Sequence, residues 1–141
     1  MPIKVLIIED EPDILTYLTA VLEDNGFEAL AMDGQEVKIS EIAAARPDLI
    51  ILDVMMPKRS GVSIYQELRT CNDLKDVAVA IITGFTPETG ALHNGLSHLL
   101  EEHNIGPPDG FVEKPFVLEA FIAMAHRLTH KKRDSDGAHR P

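Results

Sequence analysis

Four short apolar runs punctuate this chain, and each ends in a side chain able to do chemistry. Ile3-Lys4-Val5-Leu6-Ile7-Ile8 runs into Glu9-Asp10, and Leu49-Ile50-Ile51-Leu52 runs into Asp53. Val77 to Ile82 stops at Thr83, and Phe111-Val112-Glu113 stops at Lys114. Runs this continuously apolar have no face to give to water, so they read as parallel strands with helices packed on both sides. In such sheets ligands bind outside the carboxyl ends of the strands. Three carboxylates, a hydroxyl and an ammonium would then converge on one edge, the outline of a divalent-cation and phosphoryl site. Like charges held that close repel unless something positive sits among them.

Helix-period stretches fill the intervals. Glu11-Pro12 has the form of a helix start with proline in the first turn. Ile14, Leu15, Leu18, Val21 and Leu22 then mark one apolar face, and Asn25-Gly26 stops it. Phe27 to Met32 is a second strand, followed by a weaker helix from about Gln35 to Arg46 that Pro47-Asp48 breaks. Gly61 to about Cys71 reads as a helix with Val62, Tyr65 and Leu68 inward. Thr86-Pro87-Glu88 opens another, with Leu92, Leu96, Leu99 and Leu100 at helical spacing, and Gly106-Pro107-Pro108-Asp109-Gly110 breaks the chain again. Leu118, Phe121, Ile122, Ala125 and Leu128 form a last amphipathic stripe, while the polar residues from about Arg133 onward lack periodicity and are expected to fray. The expected organisation is one doubly wound α/β domain over residues 1–130, with 131–141 a frayed polar tail or the start of a linker.

A chain of 141 residues is the size of one ordinary domain, and its 45 % hydrophobic and 26 % charged residues are the usual globular balance. The formal net charge of −10 argues against broad nucleic-acid binding. Against that background Arg127, His130, Lys131, Lys132 and Arg133 cluster where a helix C-terminus would favour cations. Cys71 is the single cysteine, so no intrachain disulfide can form, which fits a reducing compartment. No apolar run approaches the length of a membrane span, and Met1-Pro2 leads straight into a strand without a signal-like region. These features point to a cytoplasmic protein with no membrane partner.

The motifs, taken in order, carry a resemblance. Val5-Leu6-Ile7-Ile8-Glu9-Asp10-Glu11-Pro12 resembles the acidic opening of the receiver domains of two-component response regulators. Pro47 to Pro57, read Pro-Asp-Leu-Ile-Ile-Leu-Asp-Val-Met-Met-Pro, with Gly61 beyond, resembles their phosphoacceptor strand and loop. Ile81-Ile82-Thr83-Gly84 is similar to the hydroxyl-bearing strand end, and Phe111-Val112-Glu113-Lys114-Pro115-Phe116 to the lysine-proline motif. The match covers roughly residues 3 to 129. It implies a flavodoxin-like sheet with strand order 2-1-3-4-5.

The resemblance also assigns roles. Asp53 would accept a phosphoryl group, and Mg²⁺ would be held by Asp10, Asp53 and the backbone carbonyl of Met55, with Glu9 orienting bound water. Few protein ligands supplemented by water and phosphate oxygens is what this small, hard cation prefers. Lys114 and Thr83 would meet the phosphoryl oxygens, by charge and by hydroxyl. The Lys114-Pro115 bond is expected to be cis. Thr83 moving toward the phosphoryl group would make room for Phe111, the family's switch aromatic, to turn inward, although a residue of this kind is also ordinary core. Met55 and Phe85 fall at positions that tune hydrolysis; neither can orient water, so slow loss of the phosphoryl group is expected.

One departure concerns the interval between Thr83 and Lys114, which is longer than the family pattern by roughly two to three helical turns' worth. The surplus lies in Gly90 to Gly110 and alters the usual partner-binding face. His93, His98 and His103 lie inside it, but a five-residue spacing does not put them on one helical face for a metal. The implied partners are a sensor histidine kinase or phosphotransfer protein, and a downstream protein or an output domain. The competing readings are an aspartyl-phosphate-forming hydrolase or phosphotransferase, a flavin-binding electron carrier, and a degenerate receiver that binds partners without phosphorylation. The hydrolase would want an acid where Met55 stands, and Glu9-Asp10-Glu11 would repel a flavin phosphate. The intact acid set weighs against the degenerate receiver.

Overall fold

The pleat of the strands sorts their apolar side chains into two cores. In β1 (Lys4–Glu9), Leu6 and Ile8 join one buried cluster, while Val5 and Ile7 join the other. β3 (Leu49–Asp53) divides the same way, Ile50 and Leu52 against Leu49 and Ile51. All eight are fully buried, the two-sided covering that a parallel strand requires. The computed structural model describes residues 2–53, 61–84, 105–114 and 116–138. Within them β2 (Glu28–Asp33), β4 (Ala78–Gly84) and β5 (Gly110–Lys114) complete a sheet of order β2-β1-β3-β4-β5, every neighbour pair parallel. α1 (Pro12–Asp24) and α4 (Leu118–Ala138) cover one face through Leu18, Leu22, Phe121 and Leu128; α2 (Ile39–Ala45) and α3 (Gly61–Thr70) cover the other through Ile42, Ile64, Tyr65 and Leu68. The expected doubly wound sheet is the observed one.

Local chemistry explains where elements start and stop. Pro12 opens α1 as its fixed φ suits a first helical position, and Gly26 closes the far end at φ +88, a value that disfavours any residue with a Cβ. α2 begins at Ile39, four residues later than Gln35, where the periodicity placed it. The cause is a turn built on Asp33: its Oδ1 accepts the Gln35 N–H at 2.9 Å, and its carbonyl accepts those of Glu36 and Val37 at 3.2 and 3.0 Å. A short acidic side chain of this kind competes with helix for the backbone. Glu41 Oε1 then takes the Lys38 N–H at 3.0 Å and starts the helix.

The break at Pro47-Asp48 is a clip as well as a stop. Asp48 Oδ2 accepts the Lys4 N–H and the Lys4 carbonyl accepts the Asp48 N–H, both at 2.8 Å, while Lys4 Nζ caps the Ala45 carbonyl at 2.8 Å. This sets the relative start of β1 and β3.

α3 turns Tyr65 and Leu68 inward as its pattern predicts, adds the fully buried Ile64, and leaves Val62 half-buried. Leu118 is 44 % exposed, so the last stripe begins at Phe121 rather than there; Leu118 is the first residue of α4 and lies beyond the sheet's cover. The helical backbone continues through residues 131–138, which the sequence marks as a fraying polar end. Each residue added to an existing helix gains a backbone hydrogen bond whatever its side chain. Among the described residues no helix is long and apolar enough to cross a membrane.

A second anchor sits at the amino edge of the sheet. Arg69 Nε donates to Tyr65 Oη at 3.0 Å, Nη1 to the Lys75 and Val77 carbonyls at 3.0 and 2.8 Å, and Nη2 to Asp109 Oδ2 at 3.0 Å. Tyr65 Oη in turn donates to the Gly106 carbonyl at 2.7 Å. Burial raises the Tyr65 hydroxyl above its ordinary pKa of 10.0, against the lowering influence of Arg69.

Candidate functional site

Register alone assembles the opposite, carboxyl edge. Ile8 pairs with Leu52, so the next residues along β1 and β3 are Glu9 and Asp53, side by side. Asp53 pairs with Ile82, which places Thr83 one step beyond on β4; Thr83 pairs with Glu113 and Gly84 with Lys114. The sheet therefore brings the ends of the four chemistry-bearing runs to one edge, as their sequence pattern predicts.

Glu9, Asp10 and Asp53 each offer a carboxylate oxygen, and these oxygens lie within 4.8 Å of one another. Among the described residues this is the one cluster of three or more His, Cys, Asp or Glu side chains with that spacing. Glu9 and Asp53 are 0 % and 2 % exposed, and Asp10 is half-buried. The Glu9 carboxylate folds back on its own loop, where Oε1 accepts the Asp10 N–H at 3.2 Å and the Glu11 N–H at 3.4 Å. That contact turns the chain from β1 into α1 and brings Asp10 to the pocket.

The donor set is all oxygen and all anionic, without thiolate or imidazole. Such a set suits a hard divalent cation and offers little to a soft one. A cation that keeps several waters and takes one or two carboxylates fits the number of acids present.

Sequence reasoning missed one member of the site. Gln35, in the turn after β2, donates from Nε2 to Asp10 Oδ2 at 3.2 Å. The signal was available in Asp33-Gly34, a turn dipeptide at the end of β2 that delays the next helix past Gln35. The Gly34 N–H fixes that turn by donating to the Glu9 carbonyl at 3.1 Å.

Phe111 is half-buried on β5, opposite Ile81, and packs against the buried cluster to which Ile81 belongs. It also borders a groove of about 290 Å³ shared with Val117, Ala120, Phe121 and Met124. The side chains of Thr83 and Lys114 lie outside the described part of the structure, as do Met55, Phe85, the Lys114-Pro115 bond and His93, His98 and His103.

Comparison with known proteins agrees with this geometry. Residues 5–126 match the family model of the response regulator receiver domain. The response regulator MprA of Mycolicibacterium vanbaalenii is 31 % identical over 139 residues, covering 98 % of this chain and 55 % of the relative. MprA of Mycobacterium tuberculosis is 30 % identical with the same coverage, so the chain spans about half the length of these relatives. Among solved structures, the signal receiver domain of a signal transduction histidine kinase from Syntrophus aciditrophicus superposes with a TM-score of 0.75 at 25 % identity, covering 91 % of this chain and 90 % of that one. The chemotaxis response regulator CheY4 of Vibrio cholerae gives 0.72 at 22 % identity, with 91 % and 99 % covered, which bears on the fold alone. With its sheet order, acidic edge and family match in agreement, this chain belongs to the response regulator receiver domain family.

Proposed function

We propose that this chain is a phosphorylation-dependent signalling switch that receives a phosphoryl group on Asp53 from a histidine kinase or phosphotransfer protein. One observation carries the reading: a buried aspartate at the carboxyl edge of the sheet has two further carboxylates within 4.8 Å of its own. In the transfer, an Asp53 carboxylate oxygen attacks phosphorus, the phosphorus–nitrogen bond to the donor imidazole breaks, and the imidazole leaves with a proton from solvent. Asp10, Asp53 and the Met55 carbonyl would hold Mg²⁺, with Glu9 orienting bound water. The ion, when bound, supplies positive charge to the pocket and to the phosphoryl oxygens.

The chain's other residues complete the assignment. Lys114 offers a point charge and Thr83 a hydroxyl to the phosphoryl oxygens, from the ends of β5 and β4. Displacement of Thr83 is coupled to inward rotation of Phe111, which repacks β5 and α4 and thereby changes what that face can bind. The half-buried position of Phe111 beside a groove supports its having room to move. With Met55 and Phe85 at the tuning positions, no side chain there orients an attacking water, and the phosphoryl-aspartate decays slowly. Its only catalysis is then its own phosphorylation and dephosphorylation. Its output runs through a separate protein or through an output domain of the kind that the unmatched half of its relatives' length could contain. The setting is cytoplasmic.

Incubation with Mg²⁺ and a small phosphodonor, followed by intact-mass measurement, tests the reading. The wild type gains one phosphoryl group and Asp53→Asn gains none. Equal modification of both proteins would place the acceptor elsewhere.

A further inference from the structure

We propose that Gln35 is a positioning residue for the cation pocket, setting its affinity through Asp10. The inference rests on the acidic pocket described above and extends it to a side chain outside the acid set. The Gln35 amide donates to Asp10 Oδ2 at 3.2 Å, so one oxygen of that carboxylate is engaged and the rotation of the group is restricted. Asp10 is the acid of the three that most needs such help. Glu9 and Asp53 are held in nearly complete burial on β1 and β3, whereas Asp10 lies past the end of β1 and is half-buried. An aspartate in that position has rotamers to lose before it can serve as a ligand, and an outer hydrogen bond removes that freedom in advance.

Gln35 is itself held for the task. Its backbone N–H donates to Asp33 Oδ1 at 2.9 Å, and the neighbouring Gly34 N–H donates to the Glu9 carbonyl at 3.1 Å. The β2–α2 turn is thus tied to the pocket by a backbone bond at Glu9 and a side-chain bond at Asp10. Two consequences follow. Cation affinity depends on a neutral amide that touches no cation, and the amides of residues 34–37 respond when a cation binds. A neutral donor is the right choice here: it orients the carboxylate without adding a charge that competes with the ion. Outer-sphere partners of ligating groups typically contribute about 10- to 100-fold in metal affinity. A single neutral, half-buried donor belongs at the lower end.

The test uses the intact chain and calorimetric titration with Mg²⁺ alone, with unfolding midpoints measured in EDTA. Gln35→Leu keeps the bulk and loses the donor; it is expected to weaken Mg²⁺ about tenfold, with little change in the cation-free midpoint. Gln35→Glu puts a fourth carboxylate beside Asp10; it is expected to lower the cation-free midpoint and to recover stability as Mg²⁺ is added. Hydrogen exchange of residues 34–37 is expected to slow on Mg²⁺ binding in the wild type and to stay fast in Gln35→Leu. Wild-type affinity in Gln35→Leu, with Asp10→Asn clearly weakened, overturns the role of Gln35 and leaves the acidic pocket standing. Wild-type affinity in Asp10→Asn overturns the pocket and the proposal together. A Gln35→Leu chain that loses midpoint in EDTA but binds Mg²⁺ normally assigns Gln35 to the fold, and likewise overturns the proposal.

Discussion

Replacing Asp53 with asparagine removes one charge from the pocket while nearly conserving its shape, and the cation-free protein should become more stable. The oxygens of the three carboxylates lie within 4.8 Å of one another, so Asp53 takes part in two repulsive pairs, with Glu9 and with Asp10. At that distance a pair of unit charges repels by about 0.9 kcal/mol in a water-like medium and about 3.5 kcal/mol at an effective dielectric constant of about 20. Asp10 is partly open to solvent, and the Asp10 and Glu11 N–H groups that donate to Glu9 offset some of the charge. The lower figure is therefore taken for each pair, and the two sum to about 2 kcal/mol of repulsion, from which any attraction between Asp53 and other groups at that edge subtracts. For a domain of this size that is a rise of at most about 4–8 °C in melting midpoint. Urea unfolding followed by far-ultraviolet circular dichroism in EDTA reads the difference, and added salt should shrink it. Saturating Mg²⁺ should reverse the ranking, since an ion at 100 times its Kd stabilises the wild type by about 2.7 kcal/mol and the variant by much less. An Asp53→Asn chain less stable than the wild type in EDTA would refute the premise that repulsion dominates the empty pocket.

Other outcomes follow from the same structure. Arg69→Met removes the donor shared by the Lys75 and Val77 carbonyls; with the Asp109 pair discounted because that side chain is 43 % exposed, the cost is about 2–3 kcal/mol in urea unfolding. The raised pKa of Tyr65 means that the folded chain keeps a proton the unfolded chain loses first. Its contribution is complete below the ordinary value of 10.0 and is lost as pH rises past it, so stability between pH 9 and 11 should fall more steeply in the wild type than in Tyr65→Phe. Phe111→Ala should leave phosphorylation of Asp53 intact while abolishing the change in partner binding; an unchanged partner response would assign Phe111 to the core alone.

Much of the fold was legible because the sheet states its own pattern. Unbroken apolar runs at β1 and β3 require two-sided cover, and their ends can meet only at one edge, so Glu9, Asp10 and Asp53 were identifiable before any coordinates. β2 was legible as a short strand, Phe27 to Met32, after the Asn25-Gly26 stop, although it lies at the sheet's edge with Leu30 37 % exposed. What escaped the sequence was set by side chains acting on nearby backbone. The Asp33 turn delayed α2 from Gln35 to Ile39, and that same delay carried Gln35 to Asp10. Hydrophobic period cannot register such a contact, since Gln35 and Asp10 lie 25 residues apart and neither is apolar. The Arg69 anchor escaped for a similar reason: an arginine in a last helical turn reads as a dipole partner, and its reach to Asp109 depends on the chain's return before β5.

A receiver of this kind works only if a hard divalent cation settles among Glu9, Asp10 and Asp53. Mn²⁺ takes the same oxygen donors as Mg²⁺ and broadens the nuclear resonances of groups close to it. Titrated into isotope-labelled protein, it should erase the amide signals of Asp10, Glu11, Gln35 and Asp53 first, and should leave those of Arg69 and Asp109, at the sheet's opposite edge, sharp. Excess Mg²⁺ should restore the lost signals. Broadening centred away from Glu9, Asp10 and Asp53, or none at concentrations that saturate ordinary carboxylate sites, would contradict it.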